Sequence, residues 1–82
     1  MAPSADDFAR WRDDPVTRWV MEAHARIAEA NKNEWVRVSW ENGVANPAVL
    51  QALRVRADTY EAIVATTYEG YLETNGDEPR DE

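Results

Sequence analysis

The sequence contains no cysteine and few basic residues. Without cysteine, the chain can form no disulfide, no thiolate metal site and no thiol nucleophile. Nine lysine and arginine residues stand against sixteen aspartate and glutamate residues, which gives a net charge of −7. Because binding to a phosphate backbone depends on clustered Lys and Arg, this balance argues against direct nucleic-acid binding. An acidic chain is better suited to basic protein partners.

Several recognisable segments are also missing. The first residues, MAPSADDFARW, have neither the basic region nor the apolar region of a signal peptide. No apolar run approaches the roughly 18 residues that cross a bilayer. The sequence has no phosphate loop, dinucleotide fingerprint, calcium loop or nucleophile–histidine–acid set. We therefore expect an intracellular protein with no membrane partner, no cofactor and no metal.

What the sequence does contain is helical periodicity, most clearly over residues 46–73. Asn46 followed by Pro47 is a typical helix start, because asparagine can cap the first turn and proline loses nothing at the first helical position. An apolar stripe then recurs every three or four residues, at Leu50, Leu53, Ala57, Tyr60, Val64, Thr67 and Tyr71. This spacing predicts a helix over residues 47–73. Asn75 and Gly76 end it, which leaves residues 74–82 as an acidic, flexible tail.

Asp14 and Pro15 repeat the same start signal for an earlier helix. The residues that keep helical spacing after this start are Val16, Val20, Ala23, Ile27 and Ala30. They predict a helix over residues 15–42, with its apolar stripe facing the second helix. Gly43 is expected to take the left-handed conformation that ends the helix.

Residues 34–40, EWVRVSW, allow a second interpretation. Val36, Val38 and Trp40 alternate with polar residues, which is the period of a strand, and Asn42–Gly43 is a favoured hairpin turn. A return strand would be cut off by Pro47, and a lone two-stranded ribbon is barely stable. Helix is therefore the preferred prediction.

The N-terminal arm, residues 1–13, carries a weaker helix signal. Ser4 followed by Asp7 resembles a capping box and predicts a short helix over residues 5–12. Phe8 and Trp11 would share one face of that helix. They would either cover the end of the main helices or form a docking motif for another protein.

The fold prediction is an all-α protein of one domain. Two helices of similar length joined by a three-residue link, residues 44–46, predict an antiparallel helical hairpin over residues 14–73. A chain of 82 residues can only just form a sufficient core. Four tryptophans add large apolar surfaces that so short a chain has trouble covering. We therefore expect an oligomer or a complex with another protein.

A two-helix hairpin buries one face of each helix, so further aromatic residues should form a second apolar surface. Ile63 and Val49 flank the stripe of the second helix on one side. The residues expected in a protein interface are Phe8, Trp11, Trp19, Trp35, Trp40, Ile63, Tyr68 and Tyr71. The alternative is that the N-terminal turn and local bending cover them.

Candidates for chemistry have simpler structural roles. His24 is the only histidine, and with no cysteine or second histidine it is expected to be packed or solvated. Asp6–Asp7 and Asp13–Asp14 lie where the first turn of a helix favours negative charge. Arg54 is expected to pair with Asp58, four residues on. Arg54 and Arg56 could otherwise contact an anion.

Three segments of the sequence together resemble a known group of proteins. They are Phe8-x-x-Trp11, Asp14-Pro15-Val16-Thr17, and Leu53-Arg54-x-Arg56-Ala57 with the following Tyr60. Their layout resembles small helical accessory proteins encoded in tailed-phage and prophage gene clusters. The resemblance implies an accessory role in virion assembly or DNA packaging, or inhibition of a host enzyme. It also implies a location in the host cytoplasm or in the virion.

The favoured functional hypothesis is a non-catalytic, oligomerising helical adaptor that binds copies of itself or another protein. A second hypothesis is an acidic inhibitor that imitates DNA and binds a host nucleic-acid-handling protein, with binding that weakens as salt rises. A third is an enzyme whose site forms only between subunits, from the aspartate pairs, His24 and an arginine.

Overall fold

The structure, a computed structural model, describes residues 1–41 and 46–79 of the chain. Every regular element in these ranges is an α-helix: α1 (Ala5–Asp13), α2 (Pro15–Glu41), α3 (Pro47–Ala65) and α4 (Tyr68–Asn75). The predicted all-α fold is confirmed, with two long helices packed against each other. None of the helices in the described ranges has both the length and the apolar composition that a membrane crossing requires.

Side-chain caps begin the first three helices where the sequence predicts them. The Ser4 hydroxyl accepts a hydrogen bond from the Asp7 N–H at 3.1 Å. The Asp14 carboxylate accepts from the Val16 N–H at 2.9 Å. The Asn46 side chain accepts from the Ala48 N–H at 3.0 Å. Each bond satisfies a backbone donor that has no partner within its helix.

Helix α2 continues through residues 34–40, so the helical interpretation of this segment is confirmed and the strand alternative is wrong. Arg37 forms ion pairs with Glu34, three residues earlier, and with Glu41, four residues later. These spacings bring side chains together on a helix and not on a strand. The predicted turn at Asn42–Gly43 and most of the link lie outside the described residues.

Helices α2 and α3 run antiparallel, because Trp35, late in α2, lines one cavity with Ala57, whereas Met21, early in α2, lines another with Val64, late in α3. The Lys32 ammonium forms an ion pair with Glu61, and His24 lies edge-on to Tyr60 with ring centroids 5.4 Å apart. The stripe predicted for the second helix is confirmed as far as Val64. Its buried or half-buried members in α3 are Leu50, Leu53, Ala57, Tyr60 and Val64.

The stripe predicted for the first helix is wrong by one residue. The row of α2 that faces α3 is Thr17, Met21, His24, Ala28, Asn31 and Val38, all buried or half-buried. The predicted row lies one residue earlier, and its first member, Val16, is 68% exposed. One residue is a rotation of about 100° around the helix. Apolar spacing does not indicate the buried row, because three of its members, Thr17, His24 and Asn31, are polar.

The predicted single helix over residues 47–73 is also wrong, because Thr66 and Thr67 interrupt it. Thr66 has an extended backbone (φ −65°, ψ 129°). The Thr67 hydroxyl then accepts a hydrogen bond from the Gly70 N–H at 3.1 Å and so begins α4. Threonine hydroxyls compete for backbone groups and favour such starts. A Cβ at Gly70 would lie 3.2 Å from the Thr66 side chain, so glycine permits the close turn.

Helix α4 ends at the stop signal that the sequence predicts, Asn75 followed by Gly76. Gly76 is left-handed (φ 68°), and the Asp77 N–H donates to the Leu72 carbonyl at 2.9 Å, as in a Schellman motif. The predicted tail, residues 74–82, therefore starts too early, because α4 includes Thr74 and Asn75. Residues 80–82 lie outside the described residues.

The helices form a single layer with a small core. The Cα atoms extend over 55 × 28 × 12 Å, with a radius of gyration of 16.9 Å. A compact chain of this length would have a radius of about 12 Å. In the part of the chain that the structure describes, the buried apolar residues are Ala2, Ala28, Val38, Ala57 and Leu72, of which three are alanines that bury little area. Much of the apolar surface of this protein is therefore left uncovered by the fold.

Candidate protein-interaction surfaces

The residues considered for catalysis have local structural roles. His24 is half-buried against Tyr60, and its Nδ1 is buried without a hydrogen-bond partner among the described residues. Asp7 pairs with Arg10, and Asp14 caps α2. Arg54 and Asp58 form the predicted ion pair, at 4.0 Å. In the described ranges, no three histidine, aspartate or glutamate side chains come together as metal ligands.

Four of the predicted interface residues lie together where α1 meets α4. The Phe8 ring centroid is 5.5 Å from that of Tyr68, 5.9 Å from that of Tyr71 and 5.6 Å from that of Trp11. We call these four residues the aromatic cluster. Phe8 thus covers one end of the hairpin, which is one of the two roles that the sequence suggests for it.

Backbone and cationic contacts hold the aromatic cluster in place. The Tyr68 hydroxyl donates to the Pro3 carbonyl at 2.7 Å. The Arg12 guanidinium lies over the Phe8 and Trp11 rings, 5.6 and 5.4 Å from their centroids, and donates to the Thr66 carbonyl at 2.5 Å. A shallow cavity of about 410 Å³ opens beside the cluster, lined also by Leu72.

The other predicted interface residues are spread along the hairpin. Trp19 is 70% exposed and Trp40 is 87% exposed, both on α2. Trp35 borders a second shallow cavity of about 310 Å³ between α2 and α3, together with Val36 and Arg54. Ile63 is half-buried on α3. The structure therefore brings four of the eight residues together and separates the rest.

A further apolar surface runs along one side of the hairpin, and the sequence indicated only its α3 members Val49 and Ile63. On α2 it consists of the row that was predicted to be the core, and on α3 of the row one residue before the buried one. We call this surface the apolar flank; its members are Val16, Val20, Ala23, Ile27, Ala30, Val49, Ala52 and Ile63. The available signal was the presence on α2 of two adjacent rows with the same spacing, since only one of them can face α3.

The opposite side of the hairpin carries charge. The Lys32–Glu61 and Arg54–Asp58 pairs lie there, the first between the two helices and the second within α3. In an antiparallel pair, residues one position after the buried row face one side on both helices, and residues one position before it face the other. The two sides of this single layer therefore differ in chemistry, one charged and one apolar.

Ion pairing shifts the pKa values of several side chains. Hydrogen bonding to Arg37 lowers the pKa of Glu34 below its ordinary value, and Arg10 does the same for the pKa of Asp7. Hydrogen bonding to Glu61 raises the pKa of Lys32. All of these groups are solvent-exposed, so the pairs contribute little to the free energy of unfolding.

Comparisons with protein-family models, with curated proteins and with solved structures give no match for this chain. Its function is therefore inferred from its own geometry.

Proposed function

We propose that this protein is a non-catalytic helical adaptor that associates with copies of itself by helix packing. The observation that carries the proposal is the mismatch between a core made largely of alanines and large apolar side chains left in solvent. Val16, Trp19 and Trp40 are each more than two-thirds exposed on a single helix. Exposed apolar surfaces of this extent usually mark an interface.

The arrangement of charge favours the adaptor over an acidic DNA mimic. A mimic needs carboxylates gathered on one face, free of neighbouring cations. Here Asp7, Glu34, Glu41, Asp58 and Glu61 each lie in an ion pair with a lysine or arginine. Five of the fourteen carboxylates in the described ranges are thus paired with basic charge.

The narrower proposal is an accessory role in virion assembly or DNA packaging, and the resemblance to phage accessory proteins is its only support. It predicts that purified particles contain the protein at a fixed number of copies, which quantitative mass spectrometry of those particles can measure. Particles without it would contradict a role within the virion.

The test of the adaptor function is the absolute mass in solution, measured by light scattering on a sizing column at low and high salt. We expect at least twice the chain mass of 9.4 kDa at both salt concentrations, because apolar packing does not depend on charge attraction. A mass of one chain at both salt concentrations, even at high protein concentration, would contradict self-association.

A further inference from the structure

We infer that the apolar flank is the self-association surface, and that two copies pack through it as a four-helix bundle. This inference rests on the proposed function and adds the interface and the stoichiometry. It leaves Trp40 outside the dimer interface, together with the aromatic cluster, whose ring contacts lie within one protomer.

The first support is the composition of the flank. On α2 its row runs from Val16 to Ala30 without a charged residue. Beyond Ala30 the row reaches Glu34, which pairs with Arg37 and so marks the limit of the patch. On α3 the same row also contains Arg56 and Thr59, so it carries one charge. A surface with so few charges is suited to burial against another apolar surface.

The second support is area. The accessible surface of the chain is 6271 Å², whereas a compact monomer of this mass exposes roughly 5,000 Å². The excess, about 1,300 Å², exceeds the roughly 800 Å² that each partner contributes to a standard interface. A second copy supplies the missing cover without any other component.

The third support is shape. The Cα trace is 12 Å deep, which is one layer of helices. Stacking two such layers by their apolar sides gives two helices over two helices, which is the arrangement of a four-helix bundle. Three of the eight members of the flank, Ala23, Ala30 and Ala52, are small enough to let the facing helices approach closely. A two-fold axis makes the same patch meet itself, so one apolar flank per chain is sufficient.

The experiment uses two single-cysteine variants, since the natural chain has no cysteine to interfere. Ala23→Cys lies on the apolar flank and Ala25→Cys on the charged side; both alanines are exposed and stand two positions apart on α2, or about 200° around the helix. The rate of alkylation of each is measured across protein concentration, with light scattering on the same samples.

We expect the dimer to protect the first variant and not the second. If alkylation occurs only in the free monomer, its rate for Ala23→Cys falls about tenfold when the protein concentration reaches roughly a hundred times the dissociation constant. Well above that constant, the monomer fraction is inversely proportional to the square root of the protein concentration. The rate for Ala25→Cys stays unchanged. Equal rates for the two variants in a dimer would overturn the inference while leaving self-association intact.

A second pair of variants tests the same surface by disruption. Ile27→Asp places a charge at the centre of the flank, and Val55→Asp places one at an exposed site of α3 outside it. We expect Ile27→Asp to reduce the mass to that of one chain and Val55→Asp to leave it doubled. If Val55→Asp reduced the mass and Ile27→Asp did not, the interface would lie on a surface other than the apolar flank. A natural chain that is monomeric throughout would overturn the proposed function as well.

Discussion

Polar side chains decide where the described helices of this protein begin. Ser4, Asn46 and Thr67 each accept a hydrogen bond from a backbone N–H in the first turn of their helix. At Thr67 this cap also divides what would otherwise be one helix, and it turns Tyr68 and Tyr71 toward Phe8. By starting α4 at this position, the Thr67 hydroxyl also affects how the aromatic cluster packs.

The substitution Thr67→Ala should destabilise α4. Removing the cap leaves the Gly70 N–H without its partner, and we expect a loss of about 1 kcal/mol in the free energy of unfolding. Denaturant unfolding followed by tyrosine and tryptophan fluorescence measures it. Thr74→Ala is the control, because its hydroxyl donates to the Gly70 carbonyl within α4 and caps nothing. Equal effects of the two substitutions would contradict the capping role.

Charge pairs at the residue scale predict a pH dependence. Arg37 holds the pKa of Glu34 below its ordinary value, so the pair stabilises the fold above the unfolded-state pKa and loses this contribution as pH falls through the folded-state pKa. Arg37→Gln should raise the Glu34 pKa toward its ordinary value, as measured by NMR titration of the side-chain carboxyl carbon. Arg54→Gln should leave Glu34 unchanged. A Glu34 titration that does not move in Arg37→Gln would show that another group sets its pKa.

At the scale of elements, α2 and α3 meet along rows that are small or polar at several positions. Ala28 and Ala57 are the most buried residues of their helices. Small residues on facing rows let the two backbones approach, and such a contact has little room for added volume.

Ala57→Leu should therefore destabilise the hairpin, although it adds apolar atoms. Overpacking of this kind costs about 1–3 kcal/mol, and thermal unfolding by circular dichroism measures it. Ala62→Leu is the matched control, because Ala62 is an exposed alanine of the same helix. A stabilised Ala57→Leu variant would mean that the contact between α2 and α3 has unfilled space.

Helix positions were more predictable from the sequence than the choice of buried face. The caps at Ser4, Asp14 and Asn46 and the stop at Gly76 are local signals, and all four are observed. The buried face of α2 depends on tertiary contacts, because Thr17 and Asn31 occupy the seam while the more apolar row lies outside it. Apolar periodicity identifies a face that is to be covered. It does not say whether α3 or a second copy covers it.

The break after Ala65 could not be predicted from periodicity, because the 3/4 spacing continues through Thr67 and Tyr71. Two adjacent threonines were the available signal: the Thr66 hydroxyl donates back to the Ala62 carbonyl, and the Thr67 hydroxyl caps the next helix. For the apolar flank, the sequence placed Ile63 and Val49 beside the stripe of the second helix. It assigned the α2 members of the flank to the core, because apolar spacing does not say which element covers a face.

At the scale of the whole molecule, net charge opposes association. Each copy carries −7, so two copies repel one another while their apolar flanks attract. Salt screens the repulsion over a distance of about 10 Å at 0.1 M ionic strength and leaves the apolar contact largely unchanged.

Self-association should therefore strengthen as sodium chloride rises. Sedimentation equilibrium across a salt series measures the dissociation constant, and we expect it to fall. A dissociation constant that rises with salt would indicate attraction between unlike charges, as the acidic-inhibitor hypothesis requires of its basic partner.

The position of the aromatic cluster has a consequence for how the hairpin opens. Contacts near the link between α2 and α3 close short loops, whereas contacts at the far end close the longest ones and carry the greatest entropic cost. The cluster and the Arg12–Thr66 hydrogen bond lie at that far end, joining the N-terminal arm to the turn before α4. These contacts connect the two ends of the hairpin that lie away from the link. Local unfolding should begin with its release, long before the contacts beside the link are lost.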